Sequence, residues 1–303
     1  MTPDEYYALA TKRNLGIVSP EEQQQLRRTR IAIIGMGGGG GIYLTTFARM
    51  GIGHFNIADF DAFSVVNVNR QAGAMQSTIG KPKVEVMAGI ARDIHPGVDI
   101  TCFDHGIGEH NVEAFIANAD IVIDAVDVFA QPARQLVYRT ARKFGKPVLF
   151  SAPLGLSATL GVFMPDGMTF EEYFDIREGM DAFQHMVAFL VGLGPAGTHL
   201  KYMDLSYVEP AEQAGPSSAA AISLMAGVVG AEALAILLKR RPAFAIPCYA
   251  QFDPYMGVYK TGKLRWGNRG PLQRLKRRLV EKKFGAIRHK FNDAGFEPLP
   301  TKS

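Results

Sequence analysis

The chain has 303 residues, 47% of them hydrophobic and 20% charged, so it can bury a large core and is not intrinsically disordered. Its two cysteines, Cys102 and Cys248, form no CxxC pair, which excludes a disulfide scaffold and a four-cysteine zinc site; reducing cytoplasm is the expected compartment. The formal charge of +4 hides a split: residues 263–290 hold eleven Lys/Arg against one Glu, whereas residues 1–262 are net acidic. The basic pI therefore describes a tail and does not argue for nucleic-acid binding by the whole molecule.

The opening MTPDEYYALATKR is polar and acidic, so no signal peptide is expected. Pro20 to Arg28 starts like a helix, with Pro and acids in its first turn. Arg30-Ile31-Ala32-Ile33-Ile34 is a short β-branched run, the pattern of a strand buried on both faces. It leads into a glycine-rich loop and a helix from Ile42 to Met50. A second strand, His54–Ala58, ends at Asp59. Strand, glycine turn, helix, strand, acid is the βαβ order of a nucleotide-binding unit. A helix over 81–94, a strand over 98–103, a short helix near 111–118, a strand over 121–127, a helix over 132–144 and a strand over 147–152 continue the rhythm. The alternation predicts an α/β doubly wound parallel sheet.

Beyond Phe163 the rhythm breaks. Residues 164–216, rich in Met, Phe, Gly and Asp, are expected to form an irregular insertion of the kind that binds substrate. Ser217 to Leu238 is apolar and long enough to cross a membrane. Its Glu232 and its Ala, Gly and Ser content favour a buried core helix instead. Two short strands are expected about Asp253-Pro254. The basic tail carries Leu272, Leu275, Leu279 and Phe284 at helical spacings. Its plainest reading is a helix docked on the sheet domain by those leucines. Contact with an anionic membrane surface, with RNA or with a partner protein are the alternatives. The domain reading is one unit over 1–262, with a nucleotide-binding half over 20–163, the crossover segment 164–216 and late core elements over 217–262. Residues 263–303 follow as the tail.

Glycines at 35, 37, 38 and 40 let the backbone approach a phosphate, whose charge a helix N-terminus favours. Asp59 suits a ribose hydroxyl pair. Those residues alone fit NAD and ATP equally. The next segments bring Asn67, Arg70 and Gln71, then Lys83, then Asp124 and Asp127 at a strand end. Fixed cations beside a pyrophosphate serve nucleotidyl transfer, in which negative charge builds on the leaving group. An acid nearby commonly holds Mg²⁺.

The stretches IAIIGMGGGGG, ADFDAFSVVNVNRQ, GKPKVEVM and IDAVD, in this order and spacing, resemble the ThiF-type adenylating superfamily. That superfamily includes the activating enzymes for molybdopterin synthase, thiamin biosynthesis and ubiquitin. The resemblance implies a Rossmann-like sheet, ATP and Mg²⁺ as cofactors, and a homodimer. It implies a nucleotide loop of Gly35, Gly37, Gly38 and Gly40, with Asp59 on the ribose. Asn67, Arg70 and Lys83 would sit on the phosphates, and Asp127 on the metal. An N-terminal arginine, matched best by Arg13, would reach the phosphates, in several members from the partner subunit. The implied reaction is ATP-dependent adenylation of a carboxylate. The carboxylate belongs to a small carrier protein, a precursor peptide or a small acid.

Two family features are missing. There are no CxxC pairs for structural zinc, and no cysteine lies in the Tyr207–Ser218 stretch before the late helix, where many members carry a nucleophile. Direct transfer from the acyl-adenylate, without a thioester, is therefore expected. Cys102, in a strand, reads as a buried small hydrophobe. An NAD-dependent oxidoreductase and a nucleotide-bound, non-catalytic adaptor stand as the competing readings.

Overall fold

The computed structural model describes residues 1–209, 215–285 and 288–289. Residues 210–214 of the crossover segment and residues 286–287 and 290–303 of the tail lie outside them.

A nine-stranded sheet, in the order β3-β2-β1-β4-β5-β7-β8-β9 with β6 paired to β7, runs through the described residues. Its parallel half comprises β1 (Arg30–Ile34), β2 (His54–Ala58), β3 (Asp99–Phe103), β4 (Ile121–Asp124) and β5 (Val148–Phe150). The remaining strands join antiparallel: β6 (Pro153–Leu154), β7 (Ser157–Phe163), β8 (Cys248–Asp253) and β9 (Val258–Lys263). The last two are the pair expected about Asp253-Pro254.

Side chains alternate across each strand, so the apolar runs fill two cores. Ile31, Ile33, Phe55, Ile57, Ile121 and Ile123 face one layer. That layer holds α3 (Gly38–Arg49), α4 (Lys83–Ile94) and α9 (Ala219–Leu237). Ala32, Ile34, Val122, Val148 and Phe150 face the other. It holds α5 (Val112–Ile116), α6 (Gln131–Lys143), α7 (Phe170–Phe174) and α8 (Ala182–Leu193). At the N-terminus, α1 (Pro3–Ala10) and α2 (Pro20–Arg28) close one end of α3; the buried Tyr7 hydroxyl donates to carbonyls of Gln23 and Gly51.

α9 is a core helix. Its small residues pack on α3, and Glu232, 2% exposed, is matched by Arg241 and by the Phe244 N–H. That pairing is how a carboxylate survives inside a helix with the hydropathy of a membrane span.

Three expectations are corrected. The insertion over 164–216 is not structureless, since it folds α7 and α8. α8 shows no helical period because nearly every position is apolar and it is buried on most sides. Its phenylalanines and those of α7 pack into the core, Phe170, Phe174, Phe183 and Phe189 all being buried. Cys102 is exposed, because β3 is the edge strand of the sheet.

The third correction concerns the tail helix α10 (Pro271–Phe284), which docks on α8 by the opposite face from the one expected. Gln273, 1% exposed, donates to the Val191 carbonyl and to Asn268; Arg277 donates to buried Asp175; Val280 and Phe284 pack against a cluster with Phe129 and Phe183. Leu272, Leu275 and Leu279 are exposed.

Candidate active site

The loop after β1 is shaped by close backbone approach. Gly35 has φ +91°, and a Cβ there would meet the Ala125 carbonyl oxygen at 2.5 Å. A Cβ on Gly40 would stand 1.6 Å from the Gly35 carbonyl oxygen, so only hydrogen fits between loop and helix. α3 begins at Gly38 with Gly37 as an N-cap that offers no side chain. The first N–H groups of α3 therefore have neither an intrahelical nor a side-chain acceptor, an arrangement that suits an anion at the helix start. Gly38 packs toward Ile222 of α9, and Gly37 toward the Gln71 amide. Gln71 is buried with its carbonyl oxygen unpartnered.

Asp59, at the end of β2, ties this loop to the next. One carboxylate oxygen accepts the Met36 N–H at 2.6 Å, and the other the Asp61 N–H at 2.8 Å. Burial pushes its pKa up, opposed by the nearby Lys83 charge and by these N–H bonds. Lys83, at the first position of α4, is buried, and its ammonium donates to Asp61 at 2.8 Å. Sequence reasoning missed Asp61; the second acid of ADFD was its only signal.

Asn67 is buried, and its side-chain oxygen accepts the Ser64 N–H and hydroxyl, which fixes the turn Val65–Asn67. Arg70, half-buried, donates to the Val66 carbonyl and to Asn69. The Arg70 carbonyl lies 3.7 Å from the Cβ position of Gly38, so this loop borders the glycine turn.

The two acids of IDAVD part company. Asp124 is buried and accepts from Arg134 Nε at 2.8 Å and from the Tyr138 hydroxyl at 2.8 Å. Arg134, another residue the sequence did not single out, also donates to the Val126 carbonyl and so holds the segment that carries Asp127. Asp127 is exposed, and one oxygen accepts the Phe129 N–H at 3.0 Å, leaving a second oxygen for a cation. A single carboxylate fits Mg²⁺, which completes its shell with phosphates and water. Among the described residues no group of three His, Cys, Asp or Glu converges on one point.

Arg13 does not join this set within one chain. It sits in the turn Lys12–Asn14, where Asn14 donates to the Met50 carbonyl at the C-terminal end of α3. The glycine loop is at the other end of that twelve-residue helix, about 18 Å away at 1.5 Å per residue. That gap exceeds the reach of an arginine side chain.

A groove of about 690 Å³ opens beside the loop, lined by Gly155, Leu156, Tyr202, Tyr207 and Ser217–Ser218 among others. Asn69 donates to the Ser217 carbonyl at 3.1 Å, which joins the groove to the Arg70 loop. Ser218 caps α9 and donates to the Gly155 carbonyl. The Tyr202 hydroxyl donates to buried Asp253 and accepts the Leu156 N–H, which makes the groove floor rigid.

A glycine turn at a helix start, at the carboxyl ends of β1 and β4 where the strand order reverses, defines a Rossmann-like phosphate-binding fold. The match to the ThiF family model covers residues 9–266, and the chain belongs to that family. It is 30% identical over 150 residues to the SAMP-activating enzyme E1 of Haloferax volcanii, covering 50% of this chain and 55% of that protein. It is 36% identical over 123 residues to the tRNA threonylcarbamoyladenosine dehydratase of Haemophilus influenzae, covering 40% and 47%. The chain thus spans about half the length of these curated relatives. The fold is similar to that of E. coli MccB crystallised with AMPCPP and MccA: TM-score 0.64, 16% identity, 84% of this chain and 71% of that one. It is similar also to E. coli TcdA in complex with AMP: TM-score 0.60, 18% identity, 79% of this chain and 98% of that one.

Proposed function

We propose that the protein is a homodimeric adenylyltransferase that uses ATP to activate a carboxylate. The observation that carries this reading is the Asn69–Ser217 hydrogen bond, which brings the loop carrying Arg70 against the rim of the groove and supports a substrate path from groove to phosphates. ATP lies with its phosphates on the α3 N-terminus and its ribose on Asp59. A carboxylate oxygen enters from the groove and attacks the α-phosphorus. The bond from that phosphorus to the bridging oxygen breaks, and pyrophosphate leaves with the electron pair. Lys83 and Arg70 offset the charge that gathers on the phosphates. Mg²⁺ held by Asp127 supplies further charge neutralisation when bound.

The acyl-adenylate is then attacked at its carbonyl carbon by an external nucleophile, and AMP departs. Direct transfer is supported by the lack of a cysteine in Tyr207–Ser218; Cys102 lies on the edge strand β3 and Cys248 starts β8. The substrate class is a peptide or a small carrier-protein C-terminus, in keeping with the open groove and with the relatives' names. Arg13 acts in trans. Its position at the distal end of α3 supports a dimer in which each copy's Arg13 completes the other's phosphate site.

ATP–pyrophosphate exchange driven by candidate peptides tests the proposal. The wild type exchanges with the right carboxylate, and Asp127→Ala loses exchange while keeping its melting temperature, because Asp127 is exposed. Exchange at the wild-type rate in Asp127→Ala overturns the metal role. NAD(H) binding in place of ATP overturns the reaction.

A further inference from the structure

The outward face of α10 is built the wrong way round for a helix that serves only to pack. Its inward face carries Gln273, Arg277, Val280 and Phe284. Its leucines point away, with Leu272, Leu275 and Leu279 at 63%, 53% and 57% exposure. At about 100° per residue the three fall within about 60° of the helix circumference, with Lys282 and Lys283 on either side. Arg278, Lys282 and Lys283 are exposed, and the turn before the helix exposes Arg265 and, at 62%, Trp266.

We propose that this face docks the protein on an anionic membrane surface, the leucines entering the headgroup–acyl boundary and the flanking cations meeting lipid phosphates. An apolar stripe edged by lysines, with a tryptophan nearby, is the composition of an interfacial helix. Other occupants fit less well. RNA would use the cations but has no use for the leucines. A second copy meeting face to face would set Arg278, Lys282 and Lys283 against the same residues. A coiled-coil partner needs three or more heptads of seam, and three leucines span only two turns. A lipid surface needs no seam length and matches the charge.

The full-length protein, floated with phosphatidylcholine vesicles with and without phosphatidylglycerol, tests this. Binding is expected only with the anionic lipid and should weaken as salt rises. Lys282→Gln with Lys283→Gln should lower partitioning about 30-fold, since each cation near an anionic surface contributes a factor of about five. Leu272→Ser/Leu275→Ser/Leu279→Ser should lower it roughly tenfold or more, with the melting temperature unchanged because the leucines are solvent-facing.

Equal binding to both vesicle types, or none to either, overturns the proposal. So does a leucine variant that floats like wild type. A leucine variant that melts several degrees lower shows that the protein covers this face itself. A dimer by light scattering that dissociates in that variant makes the face an interface between copies. Both of these outcomes also overturn the proposal. If the leucine variant does not fold, the lysine variant decides.

Discussion

Lys83 and Asp61 form an ion pair of 2.8 Å at the edge of the glycine loop, the lysine side chain 8% exposed and the aspartate 53%. The aspartate sets where the ammonium points while remaining in reach of water. Lys83→Ala should therefore cut pyrophosphate exchange by roughly 10²–10³, the usual cost of removing one preorganised charge from a transition state. Asp61→Asn keeps the lysine but loosens it, and should cost about tenfold, mostly in kcat. Exchange at the wild-type rate in Asp61→Asn would show that the lysine is positioned by packing alone.

Gly40 and Gly89 make opposite forecasts from one substitution. A Cβ at position 40 meets the Gly35 carbonyl oxygen at 1.6 Å, whereas at position 89 of α4 it meets nothing within 4 Å. Gly40→Ala should distort the loop and cost about 3 kcal/mol or more, with nucleotide binding lost. Gly89→Ala should raise stability by about 0.5–1 kcal/mol through helix propensity. Chemical denaturation of the two variants side by side measures both.

The distance between Arg13 and the glycine loop of its own chain gives a mixing test. Arg13→Ala and Lys83→Ala proteins should each be inactive. Heterodimers of the two hold one intact site if Arg13 acts across the dimer, so an equal mixture should recover about one quarter of wild-type exchange. No recovery after demonstrated subunit exchange would rule out action across the dimer, and a fully active Arg13→Ala protein would place Arg13 outside the reaction.

Turnover should survive removal of both cysteines. Partial desolvation raises the Cys102 pKa, which keeps its thiol protonated at neutral pH and a poor nucleophile. Cys102→Ala/Cys248→Ser should stay within a few-fold of wild type. A thioester trapped on either cysteine, detected by intact mass, would refute direct transfer.

His199 gives a signed pH dependence. It is buried beside Gln251, and burial pushes its pKa down from 6.5 to about 4. The folded state thus holds the ring neutral, while the unfolded chain takes up a proton near pH 6.5. Stability from this group is fully present above pH 6.5 and is lost as pH falls toward 4, by about 3 kcal/mol in total. The melting temperature of wild type should drop over that window, and His199→Gln should flatten the drop. Parallel curves would assign the acid limb to other groups.

Much of the site is legible in the chain because its chemistry is local. Gly35 and Asp59 directly follow β1 and β2, Gly38 and Gly40 lie in the first turn of α3, and Lys83 starts α4, so strand and helix patterns place them. Asn67 and Arg70 lie in the loop between β2 and α4, and Asp127 in the loop between β4 and α6, where only the motif marks them. Asp61 and Arg134 escaped notice because their partners, Lys83 and Asp124, lie 22 and 10 residues away and the pairing exists only once α4 and α6 have packed. The capping boxes Thr169–Glu172 and Asp181–Gln184 were visible signals for α7 and α8, masked by an apolar composition without period.

The parallel half of the sheet and the glycine turn after β1 were already written in the sequence. A strand buried on both faces must read as a continuous β-branched run, and at position 40, where a Cβ would stand 1.6 Å from the Gly35 carbonyl oxygen, only glycine fits. Tertiary structure alone decided which faces ended inside. The periodicity of α10 says that its leucines share a stripe, but not that Gln273 and Arg277 would find Val191, Asn268 and Asp175 and turn that stripe to solvent. It also put Arg13 a helix length from its own loop, because the packing of α1 and α2 on the far end of α3 is a contact between segments that no local pattern encodes.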